Sequence, residues 1–215
     1  MIIKNASFIT SAARPEQFIK KTKPTIAVVG KSNVGKSSFI NTLANMKKLA
    51  KTSDTPGSTR LVNYFDFGDF VLADLPGYGY AKVSKEEKDK WAVTMEKFFA
   101  DKSNYDYVFA LADVRHDPTP DDLVMISFLH SSAIPFTVIV TKIDKVSKMQ
   151  LKNRIRSVAN KFAMTENDVL GISSQTKAGR EEVLAKIEKV IDLIKSGKIQ
   201  FFFKNLFKTL ALLKK

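Results

Sequence analysis

The chain has 215 residues, 44% of them hydrophobic, no cysteine and a formal net charge of +13. That length and apolar content point to one domain with one good core, and the lack of cysteine excludes disulfides and thiolate metal sites. Residues Met1 to Lys23 hold no sustained apolar segment of the secretory kind, and no apolar run is long enough to span a bilayer, so a cytoplasmic protein is expected. The cationic excess implies a polyanionic partner, RNA or an acidic membrane surface, bound with steep salt dependence.

In chain order, the first predicted strand is Ile26–Gly30, short and rich in β-branched residues. It runs into Gly30-Lys31-Ser32-Asn33-Val34-Gly35-Lys36-Ser37, with G-x-x-x-x-G-K-[ST] spacing, and then into a helix over Lys36–Asn45 in which Phe39, Ile40 and Leu43 recur at helical spacing. Strand, glycine loop and helix in this order form a phosphate-binding loop. Gly30 and Gly35 let backbone N–H groups wrap a β-phosphate, and the helix presents its positive end to the same oxygens. Lys36 would neutralise β/γ charge, and the Ser37 hydroxyl would ligate Mg²⁺. The loop specifies a nucleoside triphosphate and leaves the base open.

Strands over Val62–Phe67 and Phe70–Asp74 are joined only by Gly68-Asp69, a hairpin connection that makes this pair antiparallel. The second ends in Asp74-Leu75-Pro76-Gly77, a D-x-x-G pattern. There a carboxylate can hold Mg²⁺ through a water, and the Gly77 N–H can reach a γ-phosphate. A helix over Lys85–Ala100, a strand over Tyr107–Asp113 and a helix over Pro120–Leu129 follow. The buried strand Phe136–Thr141 leads into Thr141-Lys142-Ile143-Asp144, a T-K-x-D sequence. Asp144 can accept two hydrogen bonds from guanine, whereas adenine would leave that carboxylate unpaired, a strong basis for rejection. The Lys142 stem can cover the base plane, and Thr141 stands where many GTPases carry Asn.

The chain closes with a helix over Lys148–Lys161, a strand over Val169–Ile172, the loop Ser173-Ser174-Gln175, whose Ser174 N–H can meet the guanine O6, and a helix over Arg180–Ile194. The expected fold is α/β: a mostly parallel six-stranded sheet with one antiparallel strand, helices on both faces, and GTP or GDP at the carboxyl ends of the strands. Residues 1–196 would form the domain, with 1–22 as an N-terminal extension. Residues 197–215 would form a basic amphipathic tail, with Ile199, Phe202, Phe203, Leu206, Leu210 and Leu213 opposite Lys204, Lys208 and Lys215. Packing onto the domain, docking on RNA or a protein partner, and lying on a membrane all fit that tail. His116 and His130 are too isolated for a metal cluster and suit structural roles.

The run Asp74-Leu75-Pro76-Gly77-Tyr78-Gly79-Tyr80-Ala81-Lys82-Val83 resembles the signature of the EngB (YihA/YsxC) family of bacterial GTPases, within the TrmE-Era-EngA-YihA-Septin-like class of P-loop GTPases. So do Gly30 through Ser38, Thr55-Pro56-Gly57-Ser58-Thr59 and Arg115-His116-Asp117-Pro118-Thr119. The similarity covers roughly residues 5–195, and the tail departs from it. The resemblance implies a monomeric GTPase acting in assembly of the large ribosomal subunit, with that subunit or its precursor and ribosomal RNA as partners. It also makes Thr59, beside Gly57 and Ser58, the threonine that closes onto Mg²⁺ and the γ-phosphate. Lys36, Thr59 and Gly77 then form the catalytic set, and the lone arginines Arg60 and Arg115 stay outside it. Tyr78 occupies the place of the water-orienting glutamine of Ras-like enzymes, which implies slow intrinsic hydrolysis. Asn33 occupies a place where related GTPases help hold K⁺ beside the phosphates; a local loop-capping bond is the plainer role. A membrane-surface adaptor recruiting proteins through its tail is the alternative function. Nucleotide kinase activity is disfavoured, because kinases lack the T-K-x-D grip.

Overall fold

A computed structural model describes residues 1–51, 61–79 and 85–198. Gly57, Ser58, Thr59 and the tail from residue 199 lie outside the described residues. The elements are β1 (Ser7–Ala12), β2 (Thr25–Gly30), α1 (Lys36–Ala44), β3 (Val62–Asp66), β4 (Val71–Asp74), α2 (Lys85–Ala100), β5 (Tyr107–Asp113), α3 (Pro120–Ser131), β6 (Phe136–Thr141), α4 (Lys148–Lys161), β7 (Val169–Ile172) and α5 (Arg180–Lys195).

One sheet orders the strands β1-β3-β4-β2-β5-β6-β7. The sheet therefore has seven strands where the sequence predicts six. The added strand is β1, inside the segment read as an extension, and it pairs antiparallel with β3 across a register shift between Phe8 and Thr10. β3 also runs antiparallel to β4, and every other pairing is parallel. β3 is thus the one strand that opposes the rest, as expected from the two-residue hairpin.

Parallel strands covered on both faces read as continuous apolar runs, and all six residues of β2 are buried. Alternate side chains feed two cores. Ala27 and Val29 pack with Phe98 of α2, Leu129 of α3 and Val158 of α4. Ile26 and Val28 pack with Phe39 of α1 and with Val183 and Ile187 of α5. Capping places two helix starts. Thr119 and Ser147 each accept from the backbone N–H three residues on, from Asp122 and Gln150, whose side chains reach back.

Candidate nucleotide site

The phosphate loop leaves the buried end of β2 and turns on two left-handed residues. Asn33 has φ +61° and Gly35 has φ +108°, the first tolerable for Asn and the second suited to Gly. Val34 N–H donates to the Lys31 carbonyl at 3.1 Å, and Phe39 N–H to that of Gly35 at 2.8 Å. The helix therefore begins directly behind the loop. The Asn33 side chain makes no hydrogen bond among the described residues, so the local capping role has no support there.

The segment after β4 is laced onto this loop. Ser32 N–H donates to the Tyr78 carbonyl at 2.8 Å and Tyr78 N–H to the Gly30 carbonyl at 3.4 Å, a short parallel bridge between Lys31 and Tyr78. Gly77 is thereby pressed close: a Cβ there would come within 3.1 Å of Lys36 Nζ and 3.2 Å of Ser32 N. Only glycine fits that approach without displacing its neighbours. The Trp91 indole donates to the Pro76 carbonyl at 3.1 Å and meets the Tyr78 ring edge-on at 6.2 Å.

Tyr78 itself is buried, 6% exposed. Its hydroxyl donates to Asp122 Oδ1 at 2.9 Å, while Asp122 Oδ2 accepts from the N–H and hydroxyl of Thr119. Burial, followed by the charge of Asp122, drives the phenol pKa far above its ordinary value. Sequence reading treats Tyr78 as an empty catalytic position; the structure makes it an anchor to α3. Asp122 gave no separate signal, because an acid three residues after Thr119 is what a helix cap requires.

Asp74 lies beneath the loop, 3% exposed. Burial pushes its carboxyl up to about 6, against the opposing pull of Lys36. Its Oδ1 has no hydrogen-bond partner among the described residues. A buried carboxylate oxygen left unpaired beside a phosphate loop is costly unless a cation comes to it. Oxygen donors of this kind suit Mg²⁺. No group of three or more histidine, cysteine or acidic side chains that could hold a metal occurs among the described residues.

At the other end of the site, the T-K-x-D residues divide their work. The Thr141 hydroxyl is buried and donates to the Val34 carbonyl at 2.7 Å, so it moors the phosphate loop from β6. Lys142, at φ +60°, donates to the Asn33 carbonyl at 2.9 Å and to Asp113 Oδ2 at 2.8 Å. Asp144 accepts from Ser173 Oγ at 2.6 Å and pairs with Lys145 at 3.2 Å; the serine bond leads in holding its carboxyl below the usual range. Ser173 also accepts from Gln175 N–H at 3.2 Å, and Gln175 Oε1 accepts from Lys145 at 2.9 Å. Ser174 is exposed on the same turn.

Sequence reading missed Asp113. Burial alone would raise its carboxyl, but hydrogen bonds from Arg115 and Lys142 hold it at about 2. Arg115 grips both Asp113 oxygens, at 3.0 and 2.7 Å, which commits that arginine to a structural pair. A cleft of about 360 Å³, lined in part by Lys31, Asn33, Asp113, Arg115 and Lys142, opens beside the phosphate loop.

A phosphate loop, a D-x-x-G glycine packed on it and a carboxylate–serine pair beyond the neighbouring strands define a P-loop GTPase. The family described as 50S ribosome-binding GTPase matches residues 25–142. The chain is 43% identical to a probable GTP-binding protein EngB of Caldanaerobacter subterraneus subsp. tengcongensis over 193 residues, covering 89% of this chain and all of that one. It is 45% identical to the Clostridium kluyveri counterpart, over 89% of this chain and 98% of that one. A crystal structure of a probable GTP-binding protein engB superposes with TM-score 0.68 at 26% identity, over 78% of this chain and 98% of that chain. Aquifex aeolicus Era, at 24% identity and TM-score 0.63, shares the fold over 77% of this chain and 56% of that chain. The chain belongs to the EngB family of GTP-binding proteins.

Proposed function

We propose that this chain is a GTP-hydrolysing switch that acts in assembly of the large ribosomal subunit. It would bind the subunit or its precursor with GTP loaded and leave after hydrolysis. The observation that carries the reading is Asp74, a buried carboxylate whose Oδ1 has no hydrogen-bond partner among the described residues, set under a phosphate loop with Gly77 packed on the same loop. The description of the matching family as ribosome-binding supports the partner, and the net charge of +13 fits an RNA-rich one.

In this reading Gly30 through Ser38 wrap the phosphates, and Lys36 neutralises the β/γ oxygens. Ser37, Thr59 and, through a water, Asp74 hold Mg²⁺, which when bound supplies charge neutralisation at those oxygens. Leu75 and Pro76 carry the chain from Asp74 to Gly77, whose N–H meets the γ-phosphate, while Gly57 and Ser58 bring Thr59 to it. Asp144 reads the guanine ring, Lys142 covers it, and Ser173, Ser174 and Gln175 border its O6. Asn33, whose side chain makes no hydrogen bond among the described residues, offers an oxygen to K⁺. Intrinsic hydrolysis is slow because the Tyr78 hydroxyl is committed to Asp122 and cannot orient water. The chain works as a cytoplasmic monomer, and among the described residues no helix is long and apolar enough to cross a membrane. Residues 1–196 form the catalytic domain, with 197–215 appended.

Gradient sedimentation with ribosomal particles tests the reading, comparing a non-hydrolysable GTP analogue, GDP and no nucleotide. Co-migration with the large subunit only in the GTP-like state is expected. No co-migration in any state would discard the ribosomal role and favour the membrane-surface alternative.

A further inference from the structure

The surface helices differ sharply in charge. α2 and α5 each carry four cations and four acids, and α3 carries Asp121 and Asp122 with no lysine or arginine. α4 carries Lys148, Lys152, Arg154, Arg156 and Lys161 and no acid at all.

Part of that charge is answered from outside the helix. Arg154 and Lys161 both reach Asp117 at 3.0 Å, and Arg156 reaches Glu166 at 2.9 Å while staying more than half exposed. Lys148 and Lys152 are exposed and make no ion pair among the described residues. Lys148, Lys152 and Arg156 succeed one another at four-residue intervals, so they form a like-charge column up one side of the helix, spaced about 6 Å per step. Such a column opposes helix formation. Lys148 adds a second penalty, since it stands at the first helical position, where the dipole disfavours a cation. α3 and α5 place two acids each in that turn, and α4 places none.

The rest of the exposed face shows what the column serves. Leu151 and Ile155 pack inward with the buried Val158 and Ala159. Asn153 and Asn160 face solvent beside the column, and Met149, 75% exposed, is the large apolar side chain there. A helix that lies on a bilayer turns a broad apolar face outward; α4 turns its apolar face to the core. Cations with interspersed amides match a phosphate–sugar backbone, which takes charge and hydrogen bonds together.

We propose that the outward face of α4, centred on Lys148, Lys152 and Arg156, is an RNA-docking surface that grips the phosphate backbone. It deepens the ribosomal reading by naming the face that meets ribosomal RNA, and it rests on that reading for the RNA's identity.

The test uses the full chain loaded with a non-hydrolysable GTP analogue, titrated with large-subunit particles and with purified large-subunit RNA from 50 to 300 mM KCl. Wild type is compared with Lys148→Gln/Lys152→Gln/Arg156→Gln and with a control that removes equal charge elsewhere, Lys4→Gln/Lys47→Gln/Lys48→Gln. Melting temperature and GTP affinity serve to exclude misfolding. The α4 variant is expected to bind RNA at least tenfold more weakly and to flatten the log affinity against log salt slope by about 2, from about 0.7–0.9 per phosphate contact; the control should keep most of both. Equal losses in the two variants, or none in the α4 variant while wild type binds, would overturn the α4 surface and leave the ribosomal reading standing. Failure of wild type to bind either particles or RNA would overturn both. Binding of wild type to anionic vesicles instead, lost in the α4 variant, would reassign the face to membranes.

Discussion

Two aspartates at the same end of the sheet stand in opposite electrostatic states. Asp74, closing β4, is buried with one oxygen unpaired among the described residues and a carboxyl pushed up to about 6. Asp113, closing β5, is gripped by Arg115 and Lys142 and held at about 2. A satisfied carboxylate is a fixture of the fold, whereas a stripped and unpaired one is a fixture of a ligand. The strands differ little in sequence, so the distinction comes from what packs around them: hydrogen bonds from Arg115 and Lys142 reach Asp113, whereas Asp74 has the charge of Lys36 and, among the described residues, no hydrogen bond to its Oδ1.

The largest expected effect follows from removing the stripped group. Asp74→Asn should weaken GTP binding in Mg²⁺ by about 10–100-fold, the usual penalty for a group that orients metal-bound water, with much less loss in EDTA. The pH dependence separates this from damage to the fold. A carboxyl raised in the folded state binds its proton more tightly there, so nucleotide-free stability falls as pH climbs from 4 to 6. A carboxyl raised to about 6 corresponds to about 3 kcal/mol at neutral pH. Asp74→Asn should therefore melt above wild type at pH 7.5 and lose that slope. A mutant less stable than wild type at pH 7.5 would mean Asp74 is a structural acid after all.

Tyr78 ties the segment after Asp74 to α3 through Asp122. Tyr78→Phe keeps the ring against Trp91 but leaves Asp122 Oδ1 buried without its donor, a loss of about 1–3 kcal/mol readable by thermal melting. Tyr78→Gln should not accelerate hydrolysis, because the anchored backbone aims residue 78 at Asp122 rather than at the γ-phosphate side. Single-turnover hydrolysis faster than wild type would show that the position is free to turn toward water.

Much of this was legible in the sequence. The phosphate loop, the hairpin at Gly68-Asp69 and the T-K-x-D loop are local patterns whose spacing carries their geometry, and most element boundaries fall within a residue or two of expectation. β1 was not legible. Ser7–Ala12 shows no alternation, both Phe8 and Ile9 are exposed, and the register slips between Phe8 and Thr10. Only the free edge of β3 makes it a strand. The roles of Tyr78, Asp122, Asp113 and Arg115 were hidden for a related reason. Each depends on a partner distant in sequence or shares its pattern with an ordinary cap, so residue type alone left Arg115 to solvent and Tyr78 to a vacancy and gave Asp113 and Asp122 no role.

The satisfied carboxylate makes the smaller predictions, with the opposite sign. Asp113 is depressed in the folded state, so its contribution is present above pH 4 and fades as pH falls toward 2. Asp113→Asn should cost about 1 kcal/mol at pH 7, discounted because its Arg115 partner stands partly in solvent, a cost that shrinks as pH falls through about 2 and is gone below it. Smaller still is Thr141→Val, which removes the bond to the Val34 carbonyl and leaves shape nearly unchanged. With the Val34 carbonyl, and the weaker Ala112 contact at 3.2 Å, losing that donor, stability should drop by about 1 kcal/mol and GTP affinity by a few fold. Preference for GTP over ATP should survive, because Asp144 and Ser173 are untouched. Competition binding with the two nucleotides checks it: lost discrimination would mean that Thr141 reads the base instead of holding the phosphate loop.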